Sequence, residues 1–165
     1  MRFLIEDFVA PKDAQQFINF FSKNSHLCHD TREEHTNRNL QYVDIKDPSI
    51  RKLLDYYAHK TIFFIDHYFK TKSFLWQPMR LCRWKKGENM NMHTDREDSD
   101  NMDFSSLTYL NDDYKGGELC FENESFKMKA LSSIIFESGG QNSHRVETIL
   151  KGRRYTIPSW YKKCS

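Results

Sequence analysis

Apolar residues follow two different rhythms along this chain, and the change near residue 72 divides it. Residues 2–9 (RFLIEDFV) read as a first strand. Pro11 and Asp13 then open a helix whose apolar face is Ala14, Phe17, Ile18 and Phe21, at helical spacing. Asp47-Pro48 starts a second helix, with Asp47 as N-cap and Pro48 in the first turn. Ile50, Leu53, Leu54, Tyr57, Thr61, Phe64, Ile65 and Tyr68 give it one apolar face, ending near Phe69. Packing of that aromatic face against a sheet is the expected use. Between the helices, Ser22 to Gln41 is polar without a sustained period and is expected to be a loop or flap.

After Lys70 the helical period stops and short strand-like runs take over. They are expected at 74–85 (FLWQPMRLCRWK), 90–93, 104–110 (FSSLTYL), 117–121 (GELCF), 126–128, 133–137 (SIIFE), 144–149 and 153–161 (RRYTIPSWY). Lys86-Gly87-Glu88, Asn111-Asp112-Asp113 with Gly116-Gly117, and Gly139-Gly140 supply turns. Leu107, Leu119, Phe121, Ile135 and Phe136 read as core. Helices first and many short strands afterwards describe a mainly β fold, a jelly roll buttressed by N-terminal helices. We expect one domain over 1–165, with helical support at about 1–72 and a jelly-roll core at about 73–162. Neither an internal repeat nor a low-complexity segment is apparent.

Composition narrows the function more than the fold. At 165 residues the chain is long enough to bury a core, and aromatics reach 15%, with 13 Phe and 8 Tyr. A net charge of +2 argues for neither nucleic acid nor an anionic membrane surface as partner. No run approaches a membrane span, and MRFLIEDFVAPKD has acids where a signal peptide needs an apolar core, so a cytoplasmic location is expected. The scattered Cys28, Cys82, Cys120 and Cys164 lack CxxC spacing and read as free thiols. A reducing compartment also suits Fe(II).

The chemistry lies in the second half. His93 and Asp95 share a face if their segment is extended, with Thr94 directed away, so both can reach one ion. His144 follows the loop SGGQNS and can be brought opposite them. Two imidazoles and a carboxylate are the set that holds non-haem Fe(II) on one face and leaves the other open. Arg154, ten residues past His144, is a fixed cation where an anionic co-substrate can dock. Arg153 competes by sequence alone, and strand alternation turns only one of the two inward. An HxD pair by itself is a weak signal. His26, His29 and His35 fall in the polar 22–41 stretch without a convincing third ligand, and a solvated loop is the preferred reading for them.

NMHTD, then LTYLND-x-YKGGELCF, then SSIIFESGGQNSHRVETILKGRRYTIPSWY resemble, in order, the catalytic core of the 2-oxoglutarate- and Fe(II)-dependent dioxygenases, prolyl 4-hydroxylase-like branch. The resemblance covers about 74–162, and LIEDFVAPKDAQQFINFF fits the family's usual start more loosely. It implies a double-stranded β-helix, cupin-like, with iron in its mouth. His93, Asp95 and His144 would be the iron ligands. Arg154 would pair with the far carboxylate of 2-oxoglutarate, Tyr109 would donate its hydroxyl to that carboxylate, and Thr156, on the face of Arg154, would add a hydrogen bond. One departure stands out: Arg83-Trp84-Lys85-Lys86-Gly87 carries tryptophan where relatives often have tyrosine. An indole N–H donates but cannot accept. Trp160 matches a family aromatic that packs beneath the site.

The implied reaction is hydroxylation of an unactivated C–H coupled to decarboxylation of 2-oxoglutarate to succinate, with O2 as co-substrate and ascorbate as a candidate reductant. Retention of Asp95 favours hydroxylation over halogenation. Three readings stay open: a hydroxylase of a peptidyl proline or other protein side chain, a hydroxylase of a free amino acid or small metabolite, and a non-catalytic jelly-roll module that retains metal. The balanced charge, and the lack of a further arginine in PSWYKKCS, count against nucleic-acid demethylation. The acidic run Arg96–Asp103 and the 22–41 stretch are candidate lids, with solvated loops as the commoner explanation.

Overall fold

A computed structural model describes residues 1–33, 38–43, 45–96 and 102–164. The chain opens with β1 (Arg2–Ile5) and α1 (Pro11–Lys23), followed by the hairpin strands β2 (Cys28–Glu33) and β3 (Arg38–Val43) and the long helix α2 (Pro48–Phe69). The strands β4 (Ser73–Leu75), β5 (Leu81–Lys85), β6 (Met90–His93), β7 (Phe104–Tyr109), β8 (Lys115–Gly116) and β9 (Leu119–Phe121) come next. The chain then runs through β10 (Ser125–Phe126), β11 (Ser133–Glu137), β12 (His144–Val146), β13 (Ile149–Lys151) and β14 (Arg153–Lys163).

Both helices begin where the sequence signals them. The Asp47 carboxylate accepts from the amides of Ser49 at 2.8 Å and Ile50 at 3.4 Å. α2 ends at Lys70, which adopts the left-handed conformation (φ 52°, ψ 47°). α1 has no side-chain cap of its own. Tyr57 of α2 serves in its place: its hydroxyl accepts from the Ala10 amide at 3.1 Å and donates to the Asp13 carboxylate at 2.6 Å. Phe17 and Phe21 of α1, with Leu54 and Tyr57 of α2, pack against Leu81, Tyr155 and Ile157 of the sheet beneath. Burying each such large apolar side chain contributes roughly 1.5–3 kcal/mol. Tyr68 departs from the expected apolar face. It is 40% exposed and lies stacked on Phe3, ring centroids 4.1 Å apart.

The large sheet runs β1-β11-β7-β14-β5-β3-β2, with β4 also on β14, and the small sheet runs β10-β9-β12-β6. Between them lies a second apolar layer, to which Trp84, Tyr109 and Phe136 contribute from the large sheet and Met90, Leu119 and Val146 from the small one. This two-sheet sandwich with helices on the outer face is the expected jelly roll. On β14 the alternation is strict: Tyr155, Ile157 and Tyr161 face the helices, while Arg154, Thr156, Pro158 and Trp160 face the sandwich interior.

Several boundaries differ from the sequence reading. Within the 22–41 stretch, expected to be a loop or flap, β2 pairs with β3 and β3 is laid against β5. A ladder of backbone hydrogen bonds to a ready sheet edge holds polar residues that no hydrophobic period marks. His26 is exposed, His29 is in β2, and His35 lies outside the described residues. The expected strand 74–85 is broken around Pro78, which cannot donate to a ladder. The first strand ends at Ile5, leaving Phe8 and Val9 to enter the core from a loop. Leu107 is only partly buried, whereas Leu119, Phe121, Ile135 and Phe136 are buried as expected. Of the acidic run, residues 97–101 lie outside the described residues. Its two ends meet on Ser138, where the Arg96 amide donates to the Ser138 carbonyl (3.1 Å) and the Ser138 amide to that of Asp103 (3.0 Å). No described helix is long and apolar enough to cross a membrane.

Candidate active site

β6 and β12 are antiparallel neighbours, and His144 sits in register opposite His93. The ring centroids are 4.3 Å apart. Each ring places Nδ1 on a carbonyl two residues back, His93 on Asn91 at 2.9 Å and His144 on Asn142 at 3.0 Å. A carbonyl oxygen only accepts, so in both rings the neutral tautomer carries its proton on Nδ1 and turns an Nε2 lone pair inward. β6 stops at His93 and Asp95 lies in the turn beyond, so the turn, more than strand alternation, brings this carboxylate to the same point. Thr94, expected to point away from the ion, is buried at 9% exposure. His93 Nε2 and the Asp95 carboxylate are 3.6 Å apart, and the ligand atoms of His93, Asp95 and His144 all lie within 4.8 Å of one another.

Burial works to raise the Asp95 pKa. The neighbouring imidazoles of His93 and His144, when protonated, and a hydrogen bond from Ser105 outweigh it, holding the carboxyl well below the usual carboxylate range. Ser105 is in turn tied to Ser138 (Oγ to Oγ, 2.8 Å).

The second feature lies on the facing sheet. Arg154 is fully buried, while Arg153 beside it is exposed. Its guanidinium donates to the Tyr109 hydroxyl at 2.9 Å and lies over the rings of Trp84 (5.1 Å) and Tyr109 (4.8 Å). Tyr114 is its other phenol neighbour, and burial, only partly opposed by Arg154, pushes that hydroxyl up to about 12. Burial likewise raises Tyr109. Both phenols therefore remain neutral donors. Among the described residues no carboxylate pairs with Arg154, and its Nε and Nη1 have no hydrogen-bond partner; neither do Trp84 Nε1 and Thr156 Oγ1. An unpaired buried cation costs several kcal/mol, so this constellation calls for an anion.

Beside the metal-type donors lies a narrow cavity of about 50 Å³, lined by Trp84, Leu119, Phe136, Thr156, Pro158 and Trp160 among others; Arg154 stands behind its Trp84 wall. A larger open groove of about 1080 Å³ lies between α1 and the start of α2, but none of these residues lines it.

The family model of the 2OG-Fe(II) oxygenase superfamily matches residues 79–162. The chain belongs to that superfamily. Within this oxygenase, 66 residues are 39% identical to prolyl 3-hydroxylase 2 of Homo sapiens, a stretch that is 36% of this chain and 9% of that protein. Another 36% identity over 83 residues relates it to the 2-oxoglutarate and iron-dependent oxygenase domain-containing protein 3 of Mus musculus, covering 46% of this chain and 26% of the relative. The chain thus spans about a tenth of the length of the first curated relative. Its fold is that of the viral collagen prolyl hydroxylase of Paramecium Bursaria Chlorella virus-1 (TM-score 0.75, 16% identity, 99% and 96% of the two chains). It is also that of the prolyl hydroxylase of Trichoplax adhaerens in complex with a hypoxia-inducible-factor oxygen degradation domain peptide (0.79, 19%, 98% and 83%). Those neighbours carry the double-stranded β-helix, in agreement with the two-sheet sandwich.

The superfamily's reagents are Fe(II), 2-oxoglutarate and O2, and the residues fit them. Two inward Nε2 lone pairs and an ionised carboxylate are a nitrogen–oxygen set suited to Fe(II). The partnerless donors of Arg154 and Thr156, with Tyr109, suit one end of a dicarboxylate.

Some contributors were not visible beforehand. Gly116-Gly117, a turn signal in the sequence, is needed for close approach. A Cβ on Gly117 (φ 72°) would stand 2.4 Å from Ile149 Cδ1 and 3.3 Å from Arg154 Cδ, and one on Gly116 would lie 2.1 Å from the Thr148 carbonyl. Tyr114 lies within the LTYLND-x-YKGGELCF motif, yet only the fold brings it to Arg154. Ser105 and Ser138 carry no sequence signal.

Proposed function

We propose that this oxygenase hydroxylates a prolyl side chain in a peptide or protein, coupled to conversion of 2-oxoglutarate to succinate. One observation carries the reading: a buried, uncompensated Arg154 lies over the ring of Trp84, which lines the same narrow cavity into which His93, Asp95 and His144 converge. A structural metal site needs no such cation. The prolyl hydroxylases among its relatives support proline as the target. When bound, Fe(II) with 2-oxoglutarate and O2 supplies the oxidising power for C–H cleavage.

The chain's own residues then have distinct tasks. His93, Asp95 and His144 hold the metal by one face. Arg154 and Tyr109 fix the far carboxylate of 2-oxoglutarate, aided by Thr156, and so set which end points to the metal. Trp84, Leu119, Phe136 and Trp160 wall the cavity with apolar surface and exclude water. Ascorbate is a candidate reductant, and the free cysteines support a cytoplasmic setting.

Peptidyl proline is favoured over a free amino acid by what lines the cavity. Asp95 is committed to the metal and Arg154, behind Trp84, to the co-substrate, so among the described lining residues no further charged side chain is left to pair with the two charges of a zwitterion. The test is a mass-spectrometric screen of proline-containing peptides, free amino acids and cell extract with Fe(II), 2-oxoglutarate and ascorbate. Oxygen added to a peptidyl proline supports the proposal, and oxygen added only to a free amino acid or metabolite replaces it with the second reading. Absence of both product and succinate under every condition leaves a non-catalytic metal-retaining module.

A further inference from the structure

Arg2 stands on β1, at the edge of the large sheet, yet its side chain reaches the turn that delivers His144 from the small sheet. Nε donates to Asn142 Oδ1 at 2.9 Å and Nη2 to the Gln141 carbonyl at 2.9 Å. Nη1 donates to the Glu124 carboxylate at 2.9 Å, and the guanidinium lies 4.0 Å from the centroid of the Phe121 ring. Asn142 is 3% exposed, and its main-chain carbonyl is the acceptor for His144 Nδ1 at 3.0 Å. Phe121 also flanks His144, ring centroids 5.6 Å apart. One planar fork therefore fixes both the peptide that orients His144 and the aromatic ring beside it.

We infer that Arg2 is a positioning residue for the metal centre, holding the Gly140–Asn142 turn so that the Asn142 carbonyl keeps His144 in its Nδ1–H tautomer with Nε2 inward. The physical need is plain. β12 is only three residues long, and although it pairs regularly with β9, its register with β6 shifts between His144 and Val146, so the ladder on the His93 side orients the imidazole weakly. A forked, permanently charged donor set meets two oxygens of adjacent residues at once, which neither lysine nor glutamine can do. Outer hydrogen-bond partners of metal-ligating histidines set ring orientation and ligand basicity.

This inference rests on the metal-site reading above, and the experiment separates the two. Co(II) binding, followed by its d–d absorption, would be compared in the wild type, Arg2→Gln and Phe3→Leu. The last loosens β1 where Phe3 stacks on Tyr68 and leaves the fork intact. Arg2→Gln is expected to weaken Co(II) binding by about ten- to a hundredfold and to alter the band shape, while Phe3→Leu lowers thermal stability and keeps both within about twofold. Unchanged affinity in Arg2→Gln, or equal weakening in Phe3→Leu, would overturn the inference. A second readout needs no metal: ring-nitrogen NMR of His144 at alkaline pH should report Nδ1–H in the wild type and mixed tautomers in Arg2→Gln. Should the wild type bind no Co(II), the metal-site reading fails, and the NMR comparison still decides for or against the role of Arg2.

Discussion

His93 and His144 face each other across an antiparallel ladder, ring centroids 4.3 Å apart, each with Nδ1 on the carbonyl two residues back along the chain. The repeated arrangement leaves two nitrogen ligands preset, with Asp95 as the third. A site held this way should bind metal with little rearrangement, and binding should stabilise the fold. Divalent metal at a hundred times its Kd is expected to add about 2.7 kcal/mol by mass action. Thermal unfolding with and without Mn(II) checks this, and His144→Ala should abolish the increment.

Arg154 and Arg153 differ by one position and by a whole face of β14. Arg154→Ala should weaken 2-oxoglutarate binding by at least about a hundredfold, since truncating a buried charge partner costs about 3 kcal/mol or more. Arg153→Ala, on the exposed face, should change it little. Isothermal titration of the metal-loaded protein compares them, and equal losses would mean that the co-substrate docks elsewhere.

Gly117→Ala should fail in the same direction as Arg154→Ala, because the added methyl meets Ile149 and then the Arg154 stem. The left-handed backbone adds strain of about 1–2 kcal/mol. A co-substrate affinity equal to the wild type in a folded Gly117→Ala protein would show that Arg154 is not held from beneath.

Ser105→Ala removes a hydrogen bond to Asp95 and leaves the three metal ligands in place. Metal affinity should fall by about tenfold or more, as is usual on losing such a partner. Metal titration reads the change, and an unaffected Kd would show that Ser105 bears only on the core.

Tyr57 joins the two helices, and burial, together with its hydrogen bond to the Asp13 carboxylate, raises its hydroxyl to about 12. A raised pKa means that the fold prefers the neutral phenol. The stabilisation is complete below the ordinary tyrosine value near 10 and is lost as pH climbs through about 12. Tyr57→Phe should cost about 1–2 kcal/mol at neutral pH by stranding the Asp13 carboxylate and the Ala10 amide. It should also flatten the alkaline limb of stability, which denaturant titration across that window would reveal.

How much of this was legible beforehand depends on which force sets each element. α2 was readable to its boundaries because a local cap and a local period specify it: Asp47, Pro48 and the apolar residues from Ile50 onward. The hairpin of β2 and β3 was not, because its stability comes from the edge of β5, far away in sequence. His93, Asp95, His144 and Arg154 could be named from order and spacing, and β14 alternation then separated Arg154 from Arg153. Arg2, Ser105 and Tyr114 could not be named, since each acts only through neighbours that the fold supplies.

If one site couples 2-oxoglutarate to oxidation of a prolyl C–H, succinate and oxygenated peptide must form together. The most direct measurement follows succinate and oxygenated peptide together, in anaerobic and aerobic reactions with Fe(II) and a proline-rich peptide. Succinate and hydroxyproline are expected in near-equal amounts, both dependent on O2 and both lost in His93→Ala. Hydroxylated product without succinate, or its persistence in His93→Ala, would contradict it.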